Sequence, residues 1–223
     1  MLRIEDRSPG IRCIGLDRAA KRNAIGVELT LAMEEVLLRT RDDPQVRVVI
    51  FHGIGGHFCA GMDMKDFFDS STRPPELLRR ARAATEHWRT RLLREMPQTL
   101  IAAVQGSCLG AGLPLVALSD VVLADRDTRF GLPEINFGFV PGGQILKAAG
   151  TRMPPRGLAC AALTGRPFDA EQGRRWGLVT QVVEGDPLPH ALELARELTY
   201  DSITCLNSLP RESAGTPLQG TPR

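Results

Sequence analysis

Much that other chains rely on is scarce or missing in this one. No apolar run approaches the ~18 residues a membrane-spanning helix needs, and Met1-Leu2-Arg3-Ile4-Glu5-Asp6 leads into charge, not into the apolar core of a signal segment. The expectation is a soluble, cytoplasmic protein with no membrane partner. No charge of one sign dominates: 28 basic residues meet 26 acidic ones, which gives nucleic acid no electrostatic foothold. Lysine is nearly absent, with only Lys21, Lys65 and Lys147, so the basic side is almost all arginine. The five cysteines (Cys13, Cys59, Cys108, Cys160, Cys205) are odd in number, lie in apolar contexts and form no C-x-x-C, as expected of reduced thiols rather than a disulfide framework. His52, His57, His87 and His190 show neither H-x-x-x-H nor H-E-x-x-H, so no metal site is expected. The dinucleotide pattern G-x-G-x-x-G after a strand is missing, and so is the phosphate loop G-x-x-x-x-G-K-[ST]. Ser107 lies in G-S-C-L-G and not in G-x-S-x-G, which removes the usual case for a serine nucleophile.

What is present is enough for one well-filled core: 223 residues with 43% hydrophobic content. Ile11 to Leu16 and the mostly β-branched run Val48 to Phe51 read as buried strands, as do Thr99 to Gln105, Asp120 to Ala124 and Leu178 to Val183. Leu29, Met33, Val36 and Leu37 mark one face of a helix from Val27 to Arg39. Pro75 to Met96 reads as a long arginine-rich helix with a solvated basic face, and shorter helices are expected at Pro155 to Leu163, Ala170 to Trp176 and Leu188 to Leu198. Alternating strands and helices make an α/β chain. From Asn207 the Pro/Gly/Ser/Thr-rich sequence cannot offset the entropy of ordering, so a domain over 1–200 and a frayed tail over 201–223 are expected.

Two glycine-bearing loops follow buried strands, GGHFCAGMDMK and QGSCLGAGL. After the second, the small and apolar residues to Leu118 read as a buried helix whose first backbone N–H groups lack partners. Two such loops side by side aim one N–H each at a single carbonyl oxygen, an oxyanion-hole arrangement; each loop alone also reads as an ordinary tight turn. Glu134 follows in the greasy setting FGLPEINFGF, where desolvation raises a carboxyl pKa and suits it to proton transfer, although the segment alone equally fits an exposed turn carboxylate. His57 reads as a loop residue, and Cys108 as a small buried hydrophobe.

FCAGMDMK, GSCLGAG and FGLPEINFGFVPGG, in this order and together with KRNAI and TGRPFDAEQGRRWGLVTQVV, resemble the crotonase superfamily, or enoyl-CoA hydratase/isomerase family. The similarity covers roughly residues 10 to 200, and AGMD-hydrophobic-K with EIN-aromatic-G looks most like its hydroxycinnamoyl-CoA hydratase-lyases. The resemblance implies a crotonase-like (ClpP/crotonase) spiral of repeated ββα units, here with a shortened C-terminal helical part. It implies a homotrimer or hexamer acting on acyl-CoA, with CoA part of the substrate and no permanently bound cofactor. Carried over residue by residue, the oxyanion donors fall on the backbone N–H groups of Met62 and Ala111, in the turns that follow Gly61 and Gly110, and the catalytic carboxylate falls on Glu134. Ala20, Lys21, Arg22 and Ala24, with Ala60, Asp63 and Met64, fall where the family cradles CoA, while Phe67 and Phe137 fall beside the acyl group. There are two departures: Pro114 stands where ordinary hydratases carry a first glutamate, and Phe67 stands where hydratase-lyases carry a tyrosine. The implied activity is hydratase or hydratase-lyase on a 2-enoyl-CoA. Isomerisation of a 3-enoyl-CoA, decarboxylation of an acyl-CoA, and a non-catalytic acyl-CoA-binding or subunit-binding role are the alternatives.

Overall fold

The computed structural model describes residues 1–68, 73–142 and 144–198; the expected tail at 201–223 lies outside them. β1 (Leu2–Ser8) pairs antiparallel with β2 (Ile11–Leu16). A 3-10 turn at Ala19–Lys21 and α1 (Val27–Arg41) lead to β3 (Val48–Gly53), which lies parallel to β2. Then come α2 (Met64–Phe68), α3 (Pro75–His87) and the single turn α4 (Leu93–Glu95), before β4 (Thr99–Val104) joins β3 in parallel. β5 (Ser107–Leu109) and α5 (Leu113–Ala117) precede β6 (Val121–Asp125), which pairs with β4. β7 (Arg129–Gly131) pairs with β5, followed by α6 (Ile145–Ala149) and α7 (Pro155–Thr164). β8 (Phe168–Asp169) runs antiparallel to β7, and α8 (Ala170–Arg175) returns the chain to β9 (Gln181–Val183) at the far edge of the large sheet, before α9 (Pro187–Glu197).

The chain therefore deposits strands alternately in a six-stranded sheet, β1-β2-β3-β4-β6-β9, and a three-stranded one, β5-β7-β8. This is the coiled ββα architecture. Alternation along each central strand fixes the layers, because side chains i and i+2 share a face. Val49, Phe51, Leu100, Ala102 and Val104 enter the main core with Leu29, Met33 and Leu37 of α1. Val48, Ile50, Ile101 and Ala103 point the other way, where Ala191 and Ala195 of α9 cover them.

Several boundaries differ from the sequence expectation. β1 was not anticipated: only Leu2, Glu5 and Ser8 are partly buried, Ile4 is exposed, and its charged residues sit on an edge strand that must discourage further pairing. The helix expected over Pro75–Met96 breaks, because Trp88–Leu92 forms a π turn in which Leu93 N–H donates to the Trp88 carbonyl. The helix expected to run to Leu118 is a 3-10 turn, Gly110–Gly112, followed by the short α5, so the turn after the second glycine loop has no long helix dipole behind it. Only Gln181–Val183 of the expected 178–183 strand pairs; Leu178 and Val179 are buried in the turn that enters it. Cys13, Cys59 and Cys108 are buried free thiols, whereas Cys160 is exposed on α7 and not in an apolar interior.

Candidate active site

The two glycine loops lie against each other. Cys59 N–H donates to the Ser107 carbonyl and Leu109 N–H to the Cys59 carbonyl, both at 2.9 Å, so the segment after β3 extends the small sheet beside β5. On its other side the first loop is tied to residues 22–25: Ala60 N–H donates to Arg22 O at 2.9 Å, Ile25 N–H to Gly61 O at 2.8 Å and Asp63 N–H to Ile25 O at 2.9 Å. These bonds use the groups flanking Met62 and leave its own N–H directed away from Ile25. Ala111 is the second residue of its 3-10 turn, a position whose N–H has no acceptor within the turn. Gly61 takes φ +100, and a Cβ there would stand 3.8 Å from the Ala111 nitrogen, so the turns carrying Met62 and Ala111 approach closely.

Both residues line a cavity of about 550 Å³. Glu134, Met64, Phe67 and Phe137 line it too, with Phe68, Arg89, Phe139, Val140 and Ile145. Glu134 is held by a 3-10 turn, Pro133–Phe137, that ends at left-handed Gly138. Its Oε2 is buried without a hydrogen-bond partner. Burial raises its pKa above the ordinary carboxylate value, opposed by its own backbone N–H and the nearby Arg89 charge. Of the greasy setting expected from FGLPEINFGF, Phe130 and Leu132 are buried while Ile135, Phe137 and Phe139 are exposed; the Glu134 Oε2 itself is buried and the side chain lines the cavity. By contrast the Cys59 thiol is pushed up to about 11 by burial and the Cys108 thiol well above its usual value, which leaves neither as a nucleophile. His57 Nδ1 lies 3.0 Å from Ser107 Oγ, outside the cavity walls.

The other residues named from the sequence divide in two. Gly110 lies directly against Glu134, and Pro114 is buried in the first turn of α5, where its missing N–H is tolerated; neither lines the cavity. Lys21 and Asp63 line a separate, shallower depression with Arg18, Lys65, Asp66 and Arg73. There Arg18 pairs with Asp63 at 2.8 Å and Arg73 with Asp66 at 2.9 Å. Ala20, Arg22, Ala24 and Ala60 belong to the backbone frame of that rim, which Asn23 pins by donating to the Ile54 and His57 carbonyls at 3.0 and 2.7 Å. Among the described residues, no group of three or more His, Cys, Asp or Glu side chains is placed to hold a metal. No helix among them is long and apolar enough to cross a membrane.

Arg89 was missed. The sequence places it in a basic stripe expected to be solvated, yet it is 1% exposed and lines the cavity. The usable signal was its spacing from Arg82 and Glu86, i+7 and i+3, which puts all three on the helix face over the cavity.

A coiled ββα fold with one inward-facing carboxylate in an apolar cavity defines an α/β enzyme of the hydratase/isomerase class. The chain belongs to the enoyl-CoA hydratase/isomerase family, whose model matches residues 6–214. It is 37% identical over 198 residues to a hydroxycinnamoyl-CoA hydratase-lyase of Pseudomonas fluorescens, covering 87% of this chain and 70% of that protein. It is 33% identical over 201 residues to a mevalonyl-coenzyme A hydratase of Aspergillus fumigatus, covering 87% and 71%. Among solved structures, an enoyl-CoA hydratase from Polaromonas sp. superposes with a TM-score of 0.84 at 25% identity, over 96% of this chain and 85% of that one.

Proposed function

We propose that this enzyme adds water to a 2-enoyl-CoA thioester, with Glu134 as the acid–base group and the Met62 and Ala111 N–H groups as the oxyanion hole. The observation that carries the reading is the buried, unpartnered Oε2 of Glu134 in the same cavity as those two amides. The thioester carbonyl oxygen sits between the two N–H groups. The Glu134 carboxylate takes a proton from water as the oxygen bonds to C3, and the π electrons move to C2 and onto the thioester oxygen as an enolate. The two amides stabilise that charge, each such donor being worth ~3 kcal/mol in the transition state. Collapse of the enolate then takes the proton from Glu134 onto C2, so that H and OH are added in total and the carboxylate is regenerated.

With proline at 114 the same glutamate must serve both proton steps, as the hydratase-lyase reading also requires; a single carboxylate equally suffices for moving a 3-enoyl double bond to C2. CoA is bound as part of the substrate, its phosphates beside Lys21 and Lys65 on the rim. We infer a homotrimer or a dimer of trimers in the cytoplasm. The exposed apolar side chains of Phe137, Phe139 and Val140, which line the cavity, support a covered face there. Sedimentation of the purified chain tests the assembly.

The activity test follows loss of the conjugated thioester absorbance of crotonyl-CoA and cinnamoyl-CoA with wild type and Glu134→Gln. Hydration by wild type alone is expected. Equal background rates for both proteins on every acyl-CoA tried would overturn the assignment.

A further inference from the structure

Arg89 is a buried charge that the hydration chemistry leaves unused. It enters the cavity from the π turn between α3 and α4. π turns arise where an inserted residue redirects a side chain and recur at functional sites. Among the described residues no carboxylate forms an ion pair with it, and its one hydrogen bond runs from Nη2 to the Ala111 carbonyl at 3.3 Å. Its Nε–H is buried and has no acceptor, and the Trp88 ring, 4.8 Å from Cζ, covers part of the guanidinium. A guanidinium carries five N–H donors in a planar fork suited to two oxygens at once, and burying one without an anion is costly.

The charged groups around it leave that cost standing. Arg82 and Glu86 line the same cavity from the preceding turns; Arg82 donates to the Phe67 carbonyl, and among the described residues no ion pair joins Glu86 to Arg89. Glu134 is the base and is attracted to Arg89 only at a distance. On its other side, Arg89 borders a small cleft with Thr90, Arg94, Gln144 and Lys147. A neutral hydroxyl or carbonyl on a ligand would satisfy Nε–H but leave the charge uncompensated. A carboxylate answers both.

Resting on the enoyl-CoA reading above, we propose that Arg89 receives a second carboxylate on the acyl chain, so that the substrates are CoA thioesters of unsaturated dicarboxylic acids. The thioester end lies at Met62 and Ala111, the double bond at Glu134, and the free carboxylate against the Arg89 guanidinium where it lines the cavity.

The test uses pairs differing only in that carboxylate: glutaconyl-CoA against 2-pentenoyl-CoA, and hex-2-enedioyl-CoA against 2-hexenoyl-CoA. Wild type is expected to favour the diacid of at least one pair in kcat/KM by about 10- to 150-fold, the range for a hydrogen bond to a charged partner. Arg89→Gln is expected to bring that ratio close to one and Arg89→Lys to keep part of it. Ratios near one for wild type in both pairs overturn the proposal. So does an Arg89→Gln variant that lowers diacid and monoacid rates by the same factor, which assigns the guanidinium to the reacting carbonyl instead. If wild type hydrates none of the four, the enoyl-CoA assignment fails, and equilibrium binding of the same thioesters to the Glu134→Gln protein decides the role of Arg89. Tighter binding of a diacid supports it there, and equal binding overturns it.

Discussion

Gly110 and Glu134 are fitted to each other: a Cβ at position 110 would stand 2.5 Å from Glu134 Oε1, closer than real side chains approach. Gly110 also holds φ +44. One residue therefore shapes the turn that presents the Ala111 amide and leaves room for the carboxylate.

Gly110→Ala is expected to disturb both at once. The left-handed backbone and the clash together cost about 1–3 kcal/mol, and displacement of Glu134 is expected to lower kcat at least ~10-fold. Thermal unfolding and crotonyl-CoA hydration measured on the same preparation check the two effects. An unchanged kcat would show that the carboxylate position is not set by this contact.

Glu134→Gln removes the proton carrier while keeping shape and volume. A loss of ~100- to 10,000-fold in kcat is expected, the usual share of a general acid–base group. Binding of the thioester, measured by titration calorimetry, is expected to persist.

The raised pKa of Glu134 carries two signs. Activity needs the ionised form, so the acidic limb of kcat/KM is expected above the ordinary glutamate value of 4.5, with rate rising as pH rises through it. Stability runs the other way. A carboxyl whose folded pKa lies above its unfolded one contributes stability below the unfolded value and loses it as pH rises through the folded value. Glu134→Gln is therefore expected to melt higher than wild type at about pH 7.5, with the gap closing towards pH 4. A variant less stable than wild type across that range would contradict this.

Asn23 is fully buried, with φ +58, and spends its side chain on three backbone partners: it accepts from Arg18 N–H at 2.8 Å and donates to Ile54 and His57. Asn23→Ala leaves these groups unsatisfied and is expected to destabilise the fold by about 2–4 kcal/mol in urea titration. Because it ties residues 18–24 to the first glycine loop, a rise in KM larger than any fall in kcat is expected.

The strands were largely legible because their interior is buried on both faces: Val48 to Phe51 and Leu100 to Val104 are continuous apolar runs that only a covered sheet accommodates. β1 was not, since an edge strand needs no apolar pattern and takes its stability from main-chain pairing with β2. The long helix was seen but its break was not, because the residues of the π turn all have ordinary helical preference and nothing local marks the extra residue. For the site, the order of FCAGMDMK, GSCLGAG and FGLPEINFGF pointed to Met62, Ala111 and Glu134, and the fold brings all three to one cavity. Spacing along the chain did not reveal that Pro114 is turned away from the cavity.

By itself the sequence determined the α/β class and the family, because the alternation of strands and helices and the order of short motifs are written along the chain. The tertiary structure alone decided which arginine is buried. Helical periodicity says that Arg82, Glu86 and Arg89 share a face, but whether that face meets water or a cavity depends on what distant segments pack over it. Here Ala111, Glu134 and α6 close over the end of the stripe at Arg89 and leave Arg82 exposed, so one residue of a basic face becomes a buried charge in the cavity.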